Sequence, residues 1–267
     1  MSKIIADLCA NHMGDMVVAE KMIIQLASVD VDYVKVQSWQ SDKLINGSEE
    51  DMEYYKSVEL SDDDHLRIKD ICDANGIGLI CTCFDLERVN FIASLGTKLV
   101  KVASPDFCSN RLLNQLIWKF DELIVSSAGA DKYEYESIIN EYADANVTFM
   151  HCNPYYPTPL NKVDMNKIIK GFAKDPRVRF GYSDHTLGIE AAQYAICLGS
   201  KYIEKHFTLD RGFAGRDQAM SSTIYDFRDI VNWRDKVRVM QGSELYTVNE
   251  HINAYREKYI GRWGNNN

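Results

Sequence analysis

The chain is 267 residues long, with 46% hydrophobic and 26% charged residues and a formal net charge of −9, a balance that excludes a disordered chain and permits a substantial core. That charge argues against nucleic acid or an anionic membrane as the main partner, since both demand a basic face, and no apolar run approaches the length of a membrane span. Seven cysteines are scattered without paired metal spacing, and the opening residues read as strand, not signal peptide, so a cytoplasmic chain with reduced thiols is expected.

In chain order, short apolar runs alternate with longer segments of helical period. Strands are predicted at Ile4–Ala10, Tyr33–Gln37, Gly78–Cys81, Leu99–Val102, Leu123–Ser126, Val147–His151, Val178–Tyr182 and Tyr202–His206. Of the intervening helices, one opens on a capping box at Ser61-Asp62-Asp63-Asp64 and closes at Asn75-Gly76. Another runs from Gly188 to Leu198-Gly199, and a last one, about Ile224–Met240, turns Phe227, Ile230, Val231 and Val237 inward. Eight such units, with no G-x-G-x-x-G after the first strand, predict an α/β fold, a closed (β/α)8 TIM barrel over residues 1–240 with a tail at 241–267. The connection from Ser38 to about Leu60 is acidic and too long for a simple turn, as lids and disordered loops are.

Such barrels carry their chemistry at the C-terminal strand ends, and here those ends are polar. They offer Asp7 with Asn11 and His12; Lys35 and Gln37; Lys101, Ser104 and Asp106; Ser126 and Ser127; His151, Asn153 and Tyr156; and finally His185 and His206. Strand alternation sends Tyr33, Lys35 and Gln37 to one face and Val34 and Val36 to the other. Two inward lysines, Lys35 and Lys101, with Ser104 and Ser126 nearby, suit a phosphate cradle better than a buried salt bridge. The segments Gly181-Tyr182-Ser183-Asp184-His185-Thr186-Leu187-Gly188 and Glu204-Lys205-His206-Phe207-Thr208-Leu209-Asp210 each set a histidine where a turn begins, so two imidazoles can converge on one ion. A lone histidine at a strand end is more often a hydrogen-bonded rim residue. The company of Ser183, Asp184, Glu204, Lys205, Arg211, Arg216 and Asp217 shifts the balance, because so many ionisable groups are costly to bury unless they bind something.

These residues carry a resemblance. The chain resembles the sialic acid synthase family, N-acetylneuraminate synthase and its pseudaminic and legionaminic relatives, over about residues 4–240. The match runs through Asn11-His12-x-Gly14-Asp15, Val34-Lys35-x-Gln37, Lys101-Val102-Ala103-Ser104, His151-Cys152, Tyr156-Pro157-Thr158-Pro159 and both histidine segments. The resemblance implies condensation of phosphoenolpyruvate with an N-acylated amino sugar in a cytoplasmic barrel. It implies His185 and His206 as ligands of a divalent metal, manganese first and magnesium or cobalt as alternatives. It also implies Lys35, Lys101, Ser104, Ser126 and Ser183 on phosphoenolpyruvate, and Gln37, Asn153, Tyr156 and Asp217 toward substrate. Asp7, Asp106, Lys101 and Glu204 would then be the catalytic groups, with a carboxylate handling the proton of a water.

The chain departs from the family pattern in five places. Aspartate stands at Asp7 and Asp106 where the family favours glutamate, and Asn153 precedes the proline that the family's asparagine follows. Cys81-Thr82-Cys83-Phe84 replaces a Ser-Thr-Pro-Phe motif, and residues 241–267 are too few for the family's antifreeze-like C-terminal domain, which supplies an arginine to the partner's sugar site. A homodimer is expected, covering Leu245, Tyr246, Tyr255, Tyr259 and Trp263 of the tail; the alternative is a tail packed across its own barrel. Two other functions compete: a Schiff-base aldolase using Lys35 or Lys101, and a degenerate paralogue that binds the anion or sugar without turnover.

Overall fold

A computed structural model describes residues 1–43, 48–172, 175–242, 249–261 and 263–264. Its strands are β1 (Lys3–Asp7), β2 (Tyr33–Ser38), β3 (Gly78–Cys83), β4 (Leu99–Val102), β5 (Glu122–Ser126), β6 (Val147–His151), β7 (Arg179–Asp184) and β8 (Tyr202–His206). Each pairs in parallel with the next and β8 closes on β1, which makes the expected (β/α)8 barrel. The helices are α1 (Met16–Ala27), α2 (Glu49–Val58), α3 (Asp62–Ala74), α4 (Arg88–Ser94), α5 (Asn110–Lys119), α6 (Lys132–Tyr142), α7 (Asn166–Lys170), α8 (Glu190–Cys197), α9 (Ile224–Gln241) and α10 (Glu250–Tyr259).

Period-two alternation divides each strand between two environments. Outward residues such as Val34, Val36, Val100, Val102 and Leu123 join the helices in the main core, where Phe227, Ile230, Val231 and Val237 of α9 are also buried. Inward residues form a floor of Ile5, Ile80, Leu99, Ile124, Met150 and Tyr202. Above that floor the inward positions turn polar, with Asp7, Lys35, Thr82, Lys101, Ser126, Ser183 and Glu204 all buried. Gly181 makes room among them: a Cβ there would lie 2.7 Å from the Tyr202 carbonyl oxygen.

Local signals act as expected in α3, where Ser61 and Asp64 form a reciprocal capping box and Gly76 (φ +66) follows the last turn. Strand β1 is shorter than Ile4–Ala10. The Asp7 carboxylate accepts the Cys9 amide at 2.9 Å and Cys9 takes φ 39, so the chain turns where the apolar pattern continues. The long β2–α3 connection is no structureless loop: it holds a 3-10 turn at Ser41–Lys43 and then α2, opened by a Ser48–Asp51 capping box. In the tail, α10 buries none of its residues and Tyr255 and Tyr259 are exposed, so this helix does not pack across the barrel. Leu245 and Tyr246 lie outside the described residues. No helix among the described residues is long and apolar enough to cross a membrane.

A buried ion pair lies on the outward side of β7 and β8. Lys205 Nζ sits 2.9 Å from Asp184 Oδ2 and donates to the Thr186 carbonyl at 2.6 Å, joining β7 to β8 behind the histidines. Both side chains are buried, so removing one strands the other's charge. Asp184→Asn or Lys205→Met alone is expected to lower unfolding stability by about 3–5 kcal/mol, and Asp184→Leu with Lys205→Met together to recover much of it. Urea unfolding of the three variants measures both effects, and a double variant no better than the singles would contradict the account.

Candidate active site

The polar layer above the floor is held by register. Asp7 of β1 pairs in register with Lys35 of β2 and with His206 of β8, and Ser183 of β7 pairs with Glu204 of β8. Lys35 Nζ therefore lies 2.8 Å from Asp7 Oδ2 and 3.8 Å from Glu204 Oε1, and it donates to Thr82 Oγ1 at 2.9 Å. Lys101 Nζ donates to Glu204 Oε1 at 3.1 Å, and Ser183 Oγ donates to the same oxygen at 3.0 Å. The lysines are thus paired with the chain's own carboxylates, the buried salt bridges that the sequence reading set against a phosphate cradle. An unpartnered ammonium this deeply buried would be the costlier arrangement.

Burial sets the protonation of each group against its neighbours. It opposes the charge on Lys35, but Asp7 and Glu204 outweigh it and hold that ammonium above its ordinary value. Lys101 is pushed down, because burial, aided by the neighbouring Lys35 charge, outweighs the pull of Glu204. Glu204 is also penalised by burial, yet Lys101 and Lys35 together hold its carboxyl well below the usual range.

At the rim, the His185 and His206 rings stand 5.3 Å apart, and the Tyr156 ring stacks on His185 at 4.2 Å. His185 Nδ1 donates to the Asn153 carbonyl at 3.1 Å, which leaves Nε2 with a lone pair. His206 Nε2 lies 3.5 Å from Asp7, and Nδ1 lies 4.0 Å from Asp217. Three buried atoms, His206 Nδ1, Ser126 Oγ and Glu204 Oε2, have no hydrogen-bond partner among the described residues. Unsatisfied polar atoms gathered in one place mark a site shaped for a polar ligand, and an imidazole nitrogen among them suits a cation.

These groups open into a cavity of about 250 Å³. Of the residues singled out in the sequence, Asp7, Lys35, Gln37, Lys101, Ser104, Ser126, Tyr156, Ser183, His185, Glu204, His206, Arg216 and Asp217 line it. Asp106 does not: it falls in the 3-10 turn Ser104–Asp106 and accepts a hydrogen bond from Ser109 Oγ at 2.8 Å, just before α5. Nor does the Asn153 side chain, which donates to the carbonyls of Lys162 and Val163 and so fastens the β6–α7 loop. Asn11 likewise serves structure, donating to the Phe207 carbonyl and to Ser221 Oγ at 2.8 Å each.

Sequence reasoning missed the opposite wall. Trp39, Tyr54, Tyr55 and Phe84 line the cavity, with Trp39 edge-on to Tyr55 at 6.0 Å and to Phe84 at 5.6 Å. Arg216 joins them, its guanidinium 4.2 Å over the Tyr54 ring and 2.7 Å from Asp51 of α2. The signal was the Tyr54-Tyr55 pair inside a connection too long for a turn.

The NeuB family model matches residues 22–246, well over half of the sequence. This chain belongs to the NeuB family. It is 30% identical to an N,N'-diacetyllegionaminic acid synthase of Legionella pneumophila, over 90% of this chain and 74% of the relative. It is 32% identical to an uncharacterized protein of Methanocaldococcus jannaschii, over 90% of this chain and 72% of the other. Among solved structures it resembles the N-acetylneuraminic acid synthetase of Leptospira borgpetersenii in complex with citrate, with a TM-score of 0.89, 26% identity, and coverage of 96% of this chain and 90% of that one.

The buried imidazole gives this NeuB-family barrel a pH signature. Burial, then the neighbouring His206, lowers the His185 pKa from 6.5 to about 3. Below pH 6.5 the unfolded chain takes up a proton that the folded chain refuses until about pH 3, so stability falls with pH across that window. The slope contributed is up to about 1.4 kcal/mol per pH unit. His185→Asn is expected to flatten the acid limb of the unfolding free energy by about that slope; an unchanged limb would mean the folded chain already carries the proton.

Proposed function

We propose that this chain catalyses the metal-dependent condensation of phosphoenolpyruvate with an N-acylated amino sugar, an N-acetylmannosamine-like aldose, to give a sialic acid-like nonulosonic acid and phosphate. The observation that carries the reading is the meeting, in one cavity, of two buried lysines, two rim histidines and an aromatic wall, in a family whose Legionella relative is a legionaminic acid synthase.

The charge balance supports a metal. Lys35, Lys101 and Arg216 face Asp7, Glu204 and Asp217 around the cavity, three cations against three carboxylates, so a multiply charged anion enters favourably only with a further cation. His185 and His206 would hold it, manganese first, with magnesium or cobalt as alternatives. When bound, a divalent ion polarises the sugar's aldehyde oxygen as a Lewis acid. Lys35 and Lys101, with Ser104, Ser126 and Ser183, would orient the phosphate and carboxylate so that carbon 3 of phosphoenolpyruvate faces the aldehyde carbon. A new C–C bond forms there, water adds at carbon 2, and the tetrahedral centre expels phosphate. Asp7 or Glu204 takes the water's proton, both lying beside the lysines that hold the anion. Trp39, Tyr54, Tyr55 and Phe84 would pack on the C–H face of the sugar and keep bulk water out.

A second reading rests on Lys101, whose lowered pKa suits a Schiff-base aldolase. Its ammonium is nonetheless engaged by Glu204 at 3.1 Å. Borohydride with pyruvate separates the two, since only an aldolase yields a stable lysine adduct. We also propose a homodimer, supported by the exposed rings of Tyr255 and Tyr259; light scattering across a dilution series tests it, and a chain monomeric at high concentration refutes it.

Phosphate release from phosphoenolpyruvate, screened against N-acylated aldoses with manganese, tests the main reading. Activity is expected with at least one aldose, to be lost with a chelator and restored by metal. Lys35→Met and Lys101→Met are each expected to raise KM for phosphoenolpyruvate by about tenfold or more, roughly 1.4 kcal/mol of lost binding. A change confined to the sugar's KM would contradict that assignment.

A further inference from the structure

Cys9 stands apart from the cysteines of the barrel strands. Cys81 and Cys83 are packed in the apolar shell between strands and helices. Cys9 is as buried, with 1% of its surface exposed, yet it belongs to no hydrophobic cluster and lies in the turn after Asp7. Its thiol sulfur, a ring nitrogen of His206 and a carboxylate oxygen of Asp217 all lie within 4.8 Å of one another. The three donors come from three elements: the β1–α1 turn, the end of β8 and the β8–α9 loop.

Their placement is fixed by backbone, not by one another. The Cys9 amide is held by the Asp7 carboxylate, the Leu8 amide donates to the Lys35 carbonyl at 2.9 Å, and the Phe207 amide donates to the Asp7 carbonyl at 2.8 Å. Asn11 ties the same turn to Phe207 and Ser221, and Gln218 donates to the Asn11 carbonyl at 3.1 Å. Cys9 itself takes φ 39, a conformation costly for a residue with a Cβ. Facing it, His206 Nδ1 is buried without a hydrogen-bond partner among the described residues and looks toward Asp217. A rigid turn that presents a thiol to an unsatisfied imidazole and a carboxylate has the donor chemistry of a transition-metal site.

We propose that Cys9 and Asp217 complete the ligand set around His206, making a thiolate–imidazole–carboxylate site that prefers thiophilic ions such as zinc and cobalt over manganese and magnesium. The proposal rests on the metal reading above and revises it in one respect: with a sulfur ligand, cobalt or zinc and not manganese is the preferred ion. On binding, the S–H bond is replaced by a sulfur–metal bond, and the proton leaves to solvent, one more per ion than a two-imidazole site releases. A thiolate ligand favours zinc and cobalt because soft sulfur bonds them more strongly than it bonds manganese or magnesium.

Cobalt titration of the metal-stripped full chain, read by absorption, tests this without turnover. The wild type is expected to bind one cobalt with a sulfur-to-cobalt charge-transfer band in the near ultraviolet. Cys9→Ser is expected to lose that band, keep weaker d–d absorption, release one proton fewer per ion, and bind cobalt at least about tenfold more weakly, since loss even of a supporting partner costs that much. Cys9→Gly, which suits the positive φ, serves as a second variant should serine disturb the turn. A wild-type cobalt complex with no sulfur band, or variants that bind as tightly as the wild type, would overturn the proposal and leave the two-histidine reading standing. A chain that binds none of cobalt, zinc or manganese would overturn both.

Discussion

Four charges buried inside the barrel, Asp7, Lys35, Lys101 and Glu204, are the constraint on which the rest of the molecule depends. Each alone would cost several kcal/mol to bury, and together they are tolerable only because strand register sets every ammonium against a carboxylate. A slip of one residue in β1, β2 or β8 would turn these side chains into the apolar shell and turn Val34 or Ile203 into the polar mouth. The network is therefore a register lock as well as a site. It also explains the apolar floor beneath it: Ile5, Ile80, Leu99, Ile124, Met150 and Tyr202 keep water from reaching the ion pairs from below and weakening them.

The lock spends the lysines' charge on the protein's own carboxylates and leaves the mouth close to neutral. His185 does not make up the difference, since burial keeps it uncharged. An uncharged imidazole is a lone-pair donor and no counter-ion for an anion. Fixed carboxylates, unsatisfied donors and a neutral histidine at the rim are consequences of one decision, which is to place charge deep and aromatic surface at the edge.

Much of this was legible in the sequence. Alternation identified the strands, and the polar strand ends named most of the residues that line the cavity, because the parity of a strand fixes which side chains face in. Parity does not say where a strand stops or what a polar side chain finds. Leu8, Cys9 and Ala10 continue an apolar pattern, yet an aspartate-capped turn ends β1 at Asp7. Asp106 and Asn153 sit at strand ends as catalytic groups would, but local hydrogen bonds claim them. The aromatic wall was hidden for another reason. Trp39, Tyr54 and Phe84 come from three segments distant in sequence, and Cys9 meets Asp217 only because the closing of β8 on β1 brings the two ends of the barrel together.

The two histidine segments, which looked like site throughout, are half scaffold. Ser183, His185, Glu204 and His206 point inward, while Tyr182, Asp184, Lys205 and Phe207, alternating with them, point outward into the core or into the Asp184–Lys205 pair. The Ser183–Glu204 hydrogen bond on the inner side and the Asp184–Lys205 ion pair on the outer side thus brace the same two strands, and β7 and β8 cannot shift without breaking both. The far wall is tied differently. Asp51 and Arg216, the link between α2 and the β8 loop, are both partly exposed, a kind of pair that salt screens and that stabilises little. The cavity consequently has one stiff side and one lightly fastened side. The contrast follows from burial alone: the same ion-pair chemistry that is rigid at Lys101–Glu204 is yielding at Arg216–Asp51, because water reaches the second and not the first.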